Sequence, residues 1–500
     1  MIDKYCNSKI LIACIWVLLC GFFTSQLTLR DFPNSGDEYS YLISAKLFSD
    51  GKLSVPSPRN KKFYDLFHII NDGKFYGKFS PGWPFFLMFG VLIGFPGIVN
   101  VLFAVLTLVV MYGLAREIFS EKTANISLIL MATSPYFILN SSSYFSHPSS
   151  LFFNVLFVYL YFKNLQREKR FYFLLSGIIL GISFLIRQLD AVVIAFCLFI
   201  HYIYFFRINN KIIKEEISRW LLYLSGFLFI FGIFLIYNYL QTGDSLLTPF
   251  NKHRPYEKLG LSYPYFESFK WAIKNNIFYR FVRLNIWIPF CFVFIFPVLF
   301  FSKRFNREYL YLMIGIFASI LLAYFFWLFN PVNQYGPRYL YSSLFAIILL
   351  MAVGIEDVMA RKWKGSKFIL PGTVIINMGL FIFFSFQFHS QVNMRMTLYD
   401  EVKKRDISNA IVFLNSPSGS MHVLDLTRNG IYFNNQVLYV RNIPGFNRLI
   451  MDEYPGRKFY LWKSDYMKIK DNRFLKFRKI KNVDYLLRRI YKEDYKKENF

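Results

Sequence analysis

The sequence predicts an α-helical polytopic membrane protein that ends in a small α/β domain. Three observations carry this reading. Of the 500 residues, 55% are hydrophobic and 21% aromatic, and the mean hydropathy is +0.33. Apolar runs of roughly 16–22 residues recur along most of the chain, each long enough, or nearly so, to cross a bilayer. From Ser390 to Phe500 the character changes to polar and basic, with short strand-like runs between turn signals.

The elements follow in order. Lys4 and Lys9 precede an apolar stretch, Ile10–Leu29, that is long for a signal peptide and has no small-residue cleavage site before Arg30. It reads as an uncleaved signal anchor with its N-terminus inside. Arg30–Phe95 then forms a long external segment with two amphipathic stretches, Tyr39–Phe48 and Lys62–Ile70, and a turn-rich patch, NDGKFYGKFSPGWP. The run Phe85–Phe95 is too short to cross easily and is expected to lie on the interface as a helix. Ten more spans are expected, giving about eleven: Gly97–Ala115, Ala124–Leu139, Pro148–Phe162, Phe171–Ile186, Ala191–Phe206, Leu221–Leu240, Ile286–Phe301, Leu310–Phe329, Leu340–Met359 and Phe368–Phe388. Pro148–Phe162 is short and is expected to need Lys163 to snorkel to the interface. In the last segment, strands are expected at Ala410–Leu414, Val437–Val440 and Lys458–Trp462, followed by a charged, helix-like tail. The domain division is thus 1–389, including the external loop 30–96, and 390–500.

Charge supports the topology. Lys and Arg concentrate in alternate short loops: Arg116 and Lys122; Lys163, Arg167, Lys169 and Arg170; Arg207, Lys211, Lys214 and Arg219; Lys303, Arg304 and Arg307; Arg361, Lys362, Lys364 and Lys367. The short turns on the other side carry only Arg187. Positive loops stay inside, so eleven spans place the C-terminal domain outside, in the extracytoplasmic space of a plasma (inner) membrane. This distribution also argues against nucleic acid as the partner of a chain with net charge +27, because the basic residues serve orientation and anionic head groups. The five cysteines lie in or beside spans and have no Cys/His metal spacing.

With that topology the external loops collect one set of polar groups. The first holds Asp37 and Glu38, in SGDEYSY, and Lys78; the second Tyr144 and His147, in SSSYFSHP; the third Arg187 and Asp190, in LIRQLD. The fourth, Gln241–Asn285, holds Asp244, Lys252, His253, Arg254, Glu257 and Glu267; the fifth holds Gln334, Tyr335, Arg338 and Tyr339, in NQYGPRYLY. A carboxylate at the membrane surface can take a proton from an acceptor hydroxyl, or hold a divalent metal beside a phosphate. Arg and Lys hold phosphate by charge-assisted hydrogen bonds and stabilise it as a leaving group. Each residue also has a plainer role: Asp37 as a helix N-cap, Arg187 and Arg338 as snorkelling side chains, His147 as a turn residue capping the next helix, the tyrosines as interfacial anchors.

The stretches SGDEYSYLISAKLFSDGKL, GKFSPGWP, YFSHP, LIRQLD and YGPRYL together resemble the GT-C membrane glycosyltransferases. Protein O-mannosyltransferases and the lipid A aminoarabinose transferase belong to that broad class. The resemblance implies inverting transfer of a sugar from a polyprenyl-phosphate donor to a hydroxyl acceptor on the extracytoplasmic face. It implies that Asp37 is the general base, with Glu38 supporting it or binding a metal, and that Lys78, Arg338 and Arg187 hold the donor phosphate. Where some relatives carry an acid before Pro, this chain has His147, which either binds a metal (Mg, Mn or Zn) or hydrogen-bonds the acceptor. Tyr335, His253 and Arg254 are auxiliary or acceptor-side candidates. The stretch EYPGRKFYLW is similar to the ends of uncharacterised bacterial relatives and brings no role with it. Two other readings compete. A transporter or flippase of lipid-linked sugars would place charge at mid-bilayer depth and often show a repeat. A lipid-linked glycan polymerase or ligase would rest on the long fourth loop.

Overall fold

The computed structural model describes residues 8–167, 169–209, 213–255, 273–327, 335–361, 364–415, 426–465 and 484–492. It is mostly helical and divides into two compact units: 1–26, 80–83 and 97–386 in one, 27–79, 84–96 and 387–500 in the other. The sequence reading grouped 30–96 with the spans. In the structure most of that segment shares a unit with the C-terminal residues instead.

The first unit is built of apolar helices. Each expected span coincides with helix, but by length and hydropathy only six helices of the described residues suffice to cross a membrane singly: Ser8–Thr28, Ile98–Ile118, Ile217–Thr242, Arg307–Phe325, Arg338–Ala360 and Ser366–Lys404. Helices at Arg170–Ile186 and Gln188–Tyr204 are apolar but shorter. Two expected spans are interrupted. Ala124–Leu139 breaks at Ser134, whose backbone is extended and whose Oγ accepts the Phe137 N–H, so a new helix starts at Pro135. Ile286–Phe301 is the second arm of a pair, Ile273–Trp287 and Cys291–Phe301, bent by 106° at Phe290, which has φ +64°.

Helices in lipid gain little from hydrophobicity and associate where small residues let backbones meet. The Arg170–Ile186 and Ile213–Thr242 helices do this: a Cβ on Gly177 would lie 2.0 Å from the Tyr223 carbonyl oxygen, and one on Gly226 2.5 Å from that of Leu174. Charges at helix ends are paired rather than solvated. Lys163 does not snorkel: it is buried against Glu117, and its ammonium lies over the Tyr159 ring. Glu356 accepts from Ser120 (2.9 Å) and Thr123 (2.6 Å), and Asp357 accepts from Ser302 and Arg361.

The second unit has two sheets. Strands β1 (Val55–Pro56), β2 (Ile69–Asp72) and β3 (Lys74–Gly77) form an antiparallel sheet in the order β1-β3-β2. The Lys62–Ile70 stretch, expected as one amphipathic element, is a 3-10 turn at Lys61–Tyr64 and the start of β2. The expected C-terminal strands are present as β4 (Ala410–Asn415), β5 (Val437–Arg441) and β6 (Lys458–Asp465), mutually parallel about β4. A fourth strand, β7 (Asp484–Ile490), pairs antiparallel with β6. The expected helix-like tail is therefore strand over these residues: Leu487 packs with Leu398 and Trp462 in one core and Ile490 with Phe459 and Leu461 in another, so the two buried residues lie on opposite faces of the sheet. Phe63 and Tyr64 pack with Ile411, Phe413 and Leu461 in one core, and the Gly36–Ser49 helix packs on β2 and β3 through Tyr39, Ile43 and Leu47 in another. The Gly82–Leu92 helix is 11 residues long, and Phe85, Phe89 and Leu92 are exposed along it.

Candidate active site

The acidic pair is split by helix capping. Ser35 is the N-cap of the Gly36–Ser49 helix: its backbone is extended, and its Oγ accepts the Glu38 N–H at 3.2 Å. Its hydroxyl donates to Glu38 Oε2 at 2.9 Å. This is the Ser-x-x-Glu signature of a helix start, and it leaves Glu38 only 1% exposed. Ser35, not Asp37, is thus the cap. Asp37 stands one position earlier, rotated about 100° around the axis. Its Oδ1 lies 2.9 Å from Nε2 of His68, with both side chains partly open to solvent. Negative charge in this first turn is favoured by the helix dipole.

His68 reaches Asp37 through strand register. β2 and β3 pair Ile69 with Gly77, so the next position sets His68 opposite Lys78, whose N–H donates to the His68 carbonyl at 3.2 Å. Ser40 on the helix donates to the same carbonyl at 2.8 Å. Close approach of helix and strand requires glycine at 77, where a Cβ would lie 2.4 Å from Ser44 Oγ and 2.6 Å from the Ser40 carbonyl oxygen. Lys78 is buried, its ammonium 5.3 Å from the Phe79 ring centre and 5.8 Å from that of Phe67. The His68 ring packs edge-on to Phe67 and tilted on Phe79, which stacks on Tyr41 at 4.5 Å. Acid, imidazole and ammonium therefore share one aromatic-walled corner of the second unit. His68 was not singled out from sequence: no local pattern betrays a hairpin register.

The first unit gathers cations. Arg187 donates from Nε to Asp190 at 2.6 Å and from Nη2 to the Tyr324 hydroxyl at 2.7 Å. Asp190 is fully buried and also accepts from the Tyr324 and Ser342 hydroxyls. Tyr339 stacks on Tyr324 at 4.4 Å, and the guanidiniums of Arg187 and Arg280 lie 5.9 and 6.0 Å from its ring centre. Arg338 is buried with its guanidinium 3.8 Å above the Phe145 ring, around which His147 and Tyr335 also pack. The SSSYFSHP turn that carries Phe145 is held by Asn100, which donates to the Ser143 and Phe145 carbonyls, and by Trp83, which donates to that of Tyr144. His147 opens the His147–Arg167 helix and is buried. Tyr335 is buried at φ +53° and its carbonyl accepts from Asn140. His253 ends the short Pro249–His253 helix and Arg254 caps it. Glu257, Glu267 and Gln334 lie outside the described residues.

Arg280 and Arg283, one turn apart on the Tyr279–Trp287 helix, are both buried. Sequence reasoning passed over them. The signal was there in two arginines, three apart, in the amphipathic stretch YRFVRLNIW that leads into an apolar run, since buried charge beside a membrane span is costly and usually functional. Among the described residues no three or more His, Cys, Asp and Glu side chains converge on a site for a metal. Glu38, considered from sequence as support for the base or as a metal ligand, is engaged with Ser35.

This chain resembles known structures. It aligns with ArnT from Cupriavidus metallidurans bound to undecaprenyl phosphate at a TM-score of 0.56 and 10% identity, covering 95% of this chain and 97% of that one. The two share a fold. The apo form of the same ArnT aligns at 0.54 with 11% identity over 85% of this chain and 87% of that one. The family described as dolichyl-phosphate-mannose-protein mannosyltransferase matches residues 83–237. An uncharacterized protein of Aquifex aeolicus (strain VF5) is 25% identical over 397 residues, which is 76% of this chain and 70% of that protein.

Proposed function

We propose that this protein is an inverting glycosyltransferase that moves a sugar from a polyprenyl-phosphate donor to a hydroxyl acceptor at the extracytoplasmic face of the membrane. The observation that carries the reading is Asp37, a carboxylate set aside from the helix cap, partly solvent-open and held beside His68. In the reaction the acceptor oxygen attacks the anomeric carbon as the bond from that carbon to the phosphate oxygen breaks. The phosphate leaves with the electron pair, and the acceptor proton passes to Asp37. Glu38 is a poorer base because burial and its bond to Ser35 leave it out of reach of an acceptor. Positive charge must meet the departing phosphate. Lys78 and Arg338 are the foremost candidates, and Arg280 and Arg283 are added to them; Arg187 already neutralises Asp190 and is a weaker one. His147, Tyr335, His253 and Arg254 remain candidates on the acceptor side. The ArnT of like fold is bound to undecaprenyl phosphate, which supports a lipid-phosphate donor here. The N-terminus is proposed to be cytoplasmic and the 390–500 domain extracytoplasmic, from the positive loops.

The test uses purified protein in detergent with radiolabelled polyprenyl-phosphate sugars. Donor binding and donor turnover, including slow hydrolysis, are read. Asp37→Asn should keep donor binding and lose turnover, and Lys78→Ala should weaken binding. If no such donor binds, or neither substitution matters, the reading fails and transport of lipid-linked sugars becomes the better one.

A further inference from the structure

We infer that His68 is the positioning residue for the catalytic carboxylate, an inference that rests on the reading above. Its backbone is pinned from two sides, by the Ser40 hydroxyl and the Lys78 N–H on its carbonyl. Its ring is confined by Phe67 and Phe79. What this fixed ring then meets is Asp37, at 2.9 Å from Nε2 to Oδ1. The other ring nitrogen, Nδ1, is buried and has no hydrogen-bond partner among the described residues. A proton there would be a buried, unsatisfied donor, which costs free energy, whereas an unprotonated nitrogen in an aromatic niche costs less. The geometry thus directs the Nε2 hydrogen at Asp37 Oδ1.

A ring held in place against Oδ1 restrains the orientation of the carboxylate that the acceptor hydroxyl must meet. His68 acts through Asp37 and does not touch the sugar; the proton from the acceptor ends on Asp37. Its function is geometric, and geometry at this scale is worth orders of magnitude in rate.

Three substitutions separate this role from plain packing. His68→Phe keeps an aromatic ring between Phe67 and Phe79 and removes the hydrogen bond. His68→Gln places an amide N–H near the former Nε2, and His68→Asn places one near the former Nδ1, away from Asp37. With wild type turning over a polyprenyl-phosphate sugar, His68→Phe and His68→Asn should lower kcat about 10- to 100-fold, the worth of a lost charge-assisted hydrogen bond. Donor KM and donor binding should stay within about twofold, and His68→Gln should recover most of kcat. Unchanged kcat in His68→Phe and His68→Asn, with Asp37→Asn inactive, overturns the inference and leaves the glycosyltransferase reading standing. Equal loss in all three variants, or a rise in KM with kcat intact, also overturns it. If His68→Phe fails to fold, the Gln and Asn pair decides alone. A wild type that neither binds nor turns over any such donor removes both the reading and this inference.

Discussion

Replacing Asp190 by Ala should strongly destabilise the first, helical unit. Asp190 is fully buried and accepts three hydrogen bonds, from Arg187 Nε at 2.6 Å, the Tyr324 hydroxyl at 2.5 Å and the Ser342 hydroxyl. These donors come from three segments: the C-cap of the Arg170–Ile186 helix, the end of Arg307–Phe325, and the Arg338–Ser343 turn. Interhelical hydrogen bonds between neutral groups in membrane proteins average about 0.6 kcal/mol, which would give no more than about 2 kcal/mol for three. Removing one partner of a buried ion pair instead costs about 3–5 kcal/mol, because the remaining charge is left without compensation. The Arg187 side chain is 14% exposed, so the ion-pair figure governs, and about 3 kcal/mol is expected. The assay is a double-mutant cycle on unfolding midpoints in one detergent, with Asp190→Ala, Arg187→Ala and both together. If uncompensated charge is the cause, the double variant should be more stable than the sum of the singles predicts, by about 1.5 kcal/mol or more. An additive double variant, or an Asp190→Ala within about 0.5 kcal/mol of wild type, would refute the reasoning.

Glu38→Gln should retain most of any glycosyl transfer, measured by the same donor assay, because an amide oxygen still accepts from Ser35. Ser35→Ala should cost about 1 kcal/mol of stability through loss of the cap, read as a lower unfolding midpoint. Gly177→Leu should abolish the folded, monodisperse species in size-exclusion chromatography, since its Cβ would fall 2.0 Å from the Tyr223 carbonyl oxygen, and Gly232→Ala, where no atom lies within 4 Å of the added Cβ, is the control. Deleting residues 484–500 should expose the β6 edge now covered by β7 and raise aggregation of the purified protein, measured by light scattering.

Legibility in the sequence followed the range of the interaction. Hydropathy is a local quantity, so every apolar run was found as helix, and the runs of β-branched and aromatic residues gave β4, β5 and β6 to within three residues. Hydropathy is blind to backbone dihedrals, so it missed the bend at Phe290 and the fresh helix start at Pro135. It counted Lys163 as a charge in search of water, when Glu117, 46 residues earlier, supplies a buried partner. The strand β7 was hidden because DYLLRRI is as charged as a helical surface, and its two buried residues, Leu487 and Ile490, are three apart and serve different cores, so neither face shows an apolar alternation. The Lys62–Ile70 stretch was misjudged for a related reason: its apolar residues serve two elements, and Phe63 and Tyr64 face the C-terminal core.

The acidic pair shows why composition of a motif does not assign roles within it. Asp37 and Glu38 have the same charge and nearly the same place in the chain, and either could be written as the base from sequence. A helix start distinguishes them. The N3 position points back at the N-cap, so a glutamate there with serine at the cap is consumed by the fold. The N2 position points away from the cap, so its carboxylate is left for whatever the tertiary structure brings. Here that is His68, supplied by a hairpin whose closure needs glycine at 77 and whose next residue is Lys78. The motif S-G-D-E thus carries its own division of labour, with the glutamate stabilising the helix that holds the aspartate still, and an Asp/Glu exchange at these two positions would disable both functions at once.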